Sequence, residues 1–212
     1  MTQGFFIALE GIDGSGKTTL RKSIAEWLKQ QTGRDVFVGC EPKKAEEGVW
    51  AAQIRGILEK KIPPMDDPFE FQRMYVFDRA EDIKFRIRPE LEKGNFVLYD
   101  RYALSTFAYG MLDDLSVESL IELHAKVIGP SMIMPKVNII LDITPEAALS
   151  RKSKQYETPE HFEKVESLQK IRAAYHALAN DPRFKGNTFV VNADQSPTEV
   201  QLAIEDILEQ ML

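Results

Sequence analysis

The 212-residue chain has one cysteine, Cys40, and only three histidines. A lone thiol excludes an intramolecular disulfide, so the fold must rest on its own apolar core and suits a reducing compartment. No apolar run approaches the roughly 18 residues that span a bilayer. Met1 leads almost directly into a short strand-like run, with no basic leader before it. A soluble, cytoplasmic protein is expected. Positive charge is also in deficit, with 27 Lys and Arg against 33 Asp and Glu and a net charge of −6. That argues against a general nucleic-acid binder, whose footprint is basic, and leaves room for a small anion in a local pocket. Repeats, low-complexity tracts and Pro/Gly/Ser-rich linkers are missing, so one domain over residues 1–212 is expected. The histidines, at 124, 161 and 176, lack metal-ligand spacing and are expected at the surface.

What is present is an alternation. "FFIALE" (5–10), "DVFVG" (35–39), "NFVLYD" (95–100), "VNIILDI" (137–143) and "NTFVVNA" (187–193) are short runs rich in β-branched and aromatic residues. Their unbroken hydrophobicity predicts strands buried on both faces. Between them, residues 17–32, 46–60, 69–93, 116–128, 145–154 and the segment after Ser196-Pro197 read as helices. The pattern predicts an α/β fold, a doubly wound five-stranded parallel sheet flanked by helices, with ligands at the carboxyl ends of the strands.

The first strand runs into Gly11-Ile12-Asp13-Gly14-Ser15-Gly16-Lys17-Thr18, which satisfies G-x-x-x-x-G-K-[ST] between a strand and a helix. Glycines let the backbone curl so that successive N–H groups wrap an anion. The helix that follows presents its positive end to the same phosphates. Gly11, Asp13, Gly14, Ser15, Gly16, Lys17, Thr18 and Thr19 are therefore the candidate donor-nucleotide loop of a P-loop NTPase fold. Lys17 would reach the β- and γ-phosphates, and Thr18 would ligate Mg²⁺. No guanine-reading N-K-x-D occurs, which favours ATP as the donor. The third strand ends in Asp100-Arg101, a second candidate for metal and phosphate contact. Tyr75 and Arg79 lie four apart on one helix face, where a ring and a guanidinium suit a flat hydrogen-bonding ligand. On spacing alone, a core tyrosine beside a solvated arginine is the favoured reading.

Over nearly its full length the chain resembles thymidylate kinases. The resemblance rests on "FIALEGIDGSGKTT", "EP" followed by "GVWAAQIRGIL", "FDRAEDI", "IRPELEKGNFVLYDRYALSTFAYG", "NIILDITPEAALSRK" and "FEKVESLQKIRAAYHALA". It implies Mg-ATP-dependent phosphorylation of dTMP to dTDP and a homodimer through helices in 46–93 and 116–128. It also implies roles by position. Asp13 would face the sugar 3′-hydroxyl, Tyr75 would stack on thymine, and Arg79 would read a thymine carbonyl. Arg55 and Arg101 would flank the acceptor phosphate, Thr106 would face the base, and Tyr109 would pack under the sugar. The 193–195 loop would border the adenine. Asp100 would share Mg²⁺ with Thr18. Glu41 is counted with the acceptor site, and would be the carboxylate base if the acceptor were a deoxynucleoside.

Three departures stand out. Cys40 replaces a common arginine before Glu41-Pro42, with Lys43 and Lys44 following. Gly110 stands where bacterial relatives commonly carry a thymine-binding glutamine. The expected lid, 150–163, offers Arg151, Lys152 and Lys154 but has Glu160-His161 where many relatives have Asp-Arg. Arg151 is the expected catalytic cation, with Lys154 and Arg172 next; a solvated helix end is the competing reading. Alternatives in function are a kinase of another nucleoside monophosphate or of a deoxynucleoside, and a nucleotide-binding regulator without turnover.

Overall fold

The computed structural model describes residues 4–153 and 165–212. The five apolar runs form β1 (Phe5–Glu10), β2 (Val36–Cys40), β3 (Phe96–Asp100), β4 (Val137–Asp142) and β5 (Thr188–Asn192). All pair in parallel, in the order β2-β3-β1-β4-β5. Every residue of β1 and β3 is buried, because helices cover both faces of the sheet.

The helices are α1 (Lys17–Thr32), α2 (Val49–Leu58), α3 (Pro68–Asp82), α4 (Arg88–Glu92), α5 (Ala103–Leu112), α6 (Val117–Val127), α7 (Pro145–Ser153), α8 (Val165–Asn180) and α9 (Pro197–Glu209). Their ends have local causes. Gly33, left-handed, closes α1 with its N–H on the Lys29 carbonyl. Asp67 caps α3 ahead of Pro68, Ser116 caps α6, and a Ser196–Glu199 capping box opens α9. On α1 the buried stripe Leu20, Ile24 and Leu28 repeats every fourth residue; burying each such side chain contributes ~1.5–3 kcal/mol. Among the described residues no helix is long and apolar enough to cross a membrane.

Three helical expectations change. The segment 69–93 is interrupted by a π-helical turn, Ile83–Ile87, between α3 and α4. The segment 46–60 shortens to α2 behind a 3-10 turn at Ala45–Glu47. Neither α5 nor α8 is among the helices assigned from the sequence. On α5 the residues buried are nearly continuous, Ala103, Leu104, Thr106, Phe107, Ala108 and Gly110, which hides the helical period. On α8 the period is plain: Leu168, Ile171, Tyr175 and Leu178 are buried at intervals of three or four.

β1 has β3 on one side and β4 on the other, so the crossovers diverge at its carboxyl end and leave a crevice there. The register pairs Leu9 with Asp100, so β1 and β3 end together at that crevice, with Glu10 one position further on and facing the other side of the sheet.

Candidate active site

A cleft of about 1410 Å³ opens along this edge, lined by the 13–19 loop, by residues after β3, by α3 and by the segment after β5. Gly11, Gly14 and Gly16 have φ of 130°, 85° and 98°, a region side chains avoid. A Cβ on Gly14 would also lie 2.5 Å from the Ala148 carbonyl oxygen of α7. The loop is thus curled by glycine and backed directly by a helix.

Lys17, buried at the start of α1, donates to the Gly11 carbonyl (3.0 Å), the Ile12 carbonyl (2.9 Å) and Ser15 Oγ (3.2 Å). Burial, helped by the Arg101 charge, lowers its pKa to about 8. Thr18 Oγ1 donates to Asp100 Oδ2 at 2.8 Å, joining the two expected metal ligands across 82 positions of chain. No group of three or more His, Cys, Asp or Glu side chains suited to a metal occurs among the described residues. A hydroxyl and one carboxylate do fit Mg²⁺, which takes few protein oxygens and relies on substrate phosphates.

Arg101 holds a left-handed backbone, φ 69°, uncommon for a side-chain-bearing residue. Its NH1 donates to the Gly11 carbonyl at 2.9 Å, its NH2 pairs with Asp13, and its guanidinium lies 5.2 Å from the Tyr109 ring centroid. Two residues expected to serve the acceptor are therefore bound to each other. Beneath them is a group the sequence reading passes over. Glu10, fully buried, accepts from the Tyr102 N–H (2.9 Å), Ser105 Oγ (2.6 Å) and the Tyr175 hydroxyl (3.2 Å). Burial raises its pKa despite those donors. A glutamate ending an otherwise apolar buried strand was the available signal.

At the far end, Arg79 is wholly buried. Its Nε reaches both oxygens of Glu41 (3.0 and 3.2 Å), its NH2 binds Glu41 again and donates to Thr106 Oγ1 (3.0 Å), and its NH1 meets His124 Nε2. Burial pushes Glu41 up to about 8 against the pull of Arg79. With both oxygens on Arg79, Glu41 is not aimed at an acceptor hydroxyl as a deoxynucleoside kinase would require. Tyr75 lies on the cleft wall with its ring edge-on to Phe71 at 5.4 Å. Arg55 donates to the carbonyls of Lys43 (2.5 Å) and Pro42 (2.6 Å), holding the segment after β2 in place.

The histidine expectation needs correcting. His124 is 5% exposed, sealed between α3 and α5, and His176 is half-buried beside Asp142 at 3.0 Å. Arg151 gives its NH2 to the carbonyls of Ala193 (2.9 Å) and Gln195 (3.4 Å), so it joins the loop after β5. Arg172 is held by Asp142 at 2.6 and 2.8 Å. The Lys152 side chain, Lys154, Glu160 and His161 lie outside the described residues. Gly110 packs on Leu120 and Leu115 rather than lining the cleft.

Opposite the phosphate loop, an aromatic ring and a fully buried guanidinium flank a space suited to a flat polar molecule. The fold and this site define a P-loop kinase of small molecules. Known proteins narrow the class further: the thymidylate kinase family model matches residues 9–204. A thymidylate kinase of Leptospira borgpetersenii serovar Hardjo-bovis is 35% identical, covering 98% of this chain and 93% of its own length. A probable thymidylate kinase of Pyrococcus abyssi is 37% identical over 97% and 95%, and one of Cereibacter sphaeroides 37% over 94% and 91%. The chain belongs to the thymidylate kinase family.

Proposed function

We propose that the chain phosphorylates dTMP to dTDP with Mg-ATP as donor, with ATP along residues 11–18 and dTMP in the chamber between α3 and α5. The observation that carries the acceptor assignment is Arg79, wholly buried beside Tyr75 on the cleft wall, in a chain whose family is named for this activity. Lys17 leaves the Gly11, Ile12 and Ser15 oxygens for the β- and γ-phosphates. Thr18 and Asp100 would hold Mg²⁺, which would supply neutralisation of the phosphate charge. Arg101 and Arg55 flank the acceptor phosphate, Asp13 faces the sugar 3′-hydroxyl, and Tyr109 packs beneath the sugar. Tyr75 stacks on thymine, Arg79 donates to a ring carbonyl, and Thr106 faces the base. The acceptor phosphate is ionised at neutral pH, so the transfer needs positioning and charge rather than a base. Residues 150–163 act as a lid within a single 1–212 domain and exclude water from the transfer, with Arg151, held on the loop after β5, adding positive charge on the donor side.

ADP release from Mg-ATP with dTMP, dUMP, dCMP, dGMP, UMP and thymidine in parallel tests this reading. Strong preference for dTMP is expected; turnover with thymidine alone, or with all monophosphates alike, overturns the acceptor assignment. A cytoplasmic homodimer completes the reading. The dimer part of it is supported by apolar residues left exposed, Val49 of α2 at 68% and Phe85 of the π-helical turn at 66%. Sedimentation at a single monomeric mass across concentrations would contradict it.

A further inference from the structure

His124, on α6, lies behind the cleft wall against Arg79, and it does so with a fixed polarity. Its Nδ1 lies 2.6 Å from the Leu120 carbonyl oxygen, which can only accept, so Nδ1 carries the proton. Its Nε2 meets Arg79 NH1, which can only donate, so Nε2 accepts. Both partners demand the same neutral tautomer. The packing that brings the ring there is equally specific. A Cβ on Gly110 would lie 2.6 Å from Leu120 Cδ1, so the missing side chain on α5 is the space Leu120 fills. Leu120 then supplies the carbonyl that orients the ring, and Phe107 covers one side with centroids 5.3 Å apart.

The contacts of Arg79 give this a consequence. Nε is taken by Glu41, and NH2 by Glu41 and Thr106. The hydrogen these partners leave is on NH1, the nitrogen His124 holds. Because the guanidinium is a rigid plane, His124 at NH1, together with Glu41 and Thr106 on the other nitrogens, fixes the direction of that remaining hydrogen.

We propose that His124 is a positioning residue for acceptor-base selectivity: it aims the remaining NH1 hydrogen of Arg79 at the 4-carbonyl of a pyrimidine. This rests on the reading of Arg79 as the base-reading residue. A 4-carbonyl accepts that hydrogen, whereas the 4-amino group of cytosine presents a donor and is rejected.

The test compares kcat/KM for dTMP, dUMP and dCMP in His124→Met, His124→Gln and Arg79→Met. Glutamine places an acceptor near the Nε2 position and methionine does not. His124→Met is expected to lose about ten-fold of the dTMP:dCMP ratio, as for one charge-assisted hydrogen bond. The dTMP:dUMP ratio and the KM for ATP should not move, since thymine and uracil share the 4-carbonyl. His124→Gln should restore the ratio. An unchanged dTMP:dCMP ratio in His124→Met, including one that accompanies a parallel loss of kcat/KM for all three acceptors and for ATP, overturns the proposal. If Arg79→Met also leaves dTMP:dCMP unchanged, the base-reading role of Arg79 itself fails. Nitrogen NMR of the unsubstituted protein decides the matter should the variants not fold. A protonated Nδ1 and a bare Nε2 that responds to dTMP but not to ATP is expected, and an Nε2–H tautomer or no response to dTMP overturns it.

Discussion

The phosphate-loop end of the cleft is made of backbone, and the α3–α5 end is made of side chains. At the first, glycines with positive φ curl a few consecutive residues, and Lys17 is the main charged side chain. At the second, Arg79 from α3 is fixed by Glu41 after β2, Thr106 on α5 and His124 on α6. A backbone cradle recognises what all nucleoside triphosphates share. A side-chain chamber, on the proposed reading, recognises what distinguishes one acceptor from another, and it depends on several elements packing correctly. The donor end should therefore fail through charge, and the acceptor end through geometry and stability.

Lys17→Ala should show the largest effect, a fall in kcat of about 10²–10³-fold, as for removal of one preorganised donor at a site of developing charge. Stopped-flow turnover with dTMP binding measured separately would check it, and dTMP affinity should hold. Arg79→Met should lower kcat/KM for dTMP by about 10²-fold and cost about 3 kcal/mol of stability, because Glu41 is left buried without its partner. Urea melts beside the kinetics would show both. Equal loss for ATP and dTMP would erase the distinction between the two ends.

A pH series sharpens the contrast next. Lys17 has a pKa lowered to about 8, so it is charged below that and neutral above. ATP, which needs the charged form, should bind about ten-fold more weakly at pH 9 than at pH 7, with uptake of a proton. Titration calorimetry in two buffers of different ionisation enthalpy reads both quantities. ATP affinity flat across that interval would mean Lys17 is not the titrating contact. The smallest effect belongs to Arg151→Ala, which removes donors to Ala193 and Gln195. A rise of about three-fold in the KM for ATP is expected from a partly exposed hydrogen bond, with the KM for dTMP unmoved.

The same contrast decides what could be read from the residues alone. The phosphate loop is contiguous, and its glycines and Lys17 are legible because each has a local conformational or electrostatic reason. The five strands are legible because burial on both faces writes an unbroken apolar run. The acceptor chamber is not local. The spacing of Tyr75 and Arg79 puts them on one face, yet an arginine solvated at the surface fits that spacing as well. Only the fold shows that Arg79 is buried on Glu41, 38 positions away. His124 sits 45 positions from its guanidinium partner, so no spacing in the sequence could have announced it. Glu10 was hidden differently. Its donors come from Tyr102, Ser105 and Tyr175, on segments that meet only when β1, α5 and α8 are packed.

Lys17 already donates to three oxygens of its own chain. Any phosphate that recruits it takes part in an exchange of partners, and a dissociation constant reports the difference between two sets of contacts. Triphosphates share that exchange, so ranking ATP against dATP or GTP cancels it and isolates what the base and sugar contribute. Pyrophosphate carries no base, and its affinity for the same loop would measure the exchange by itself.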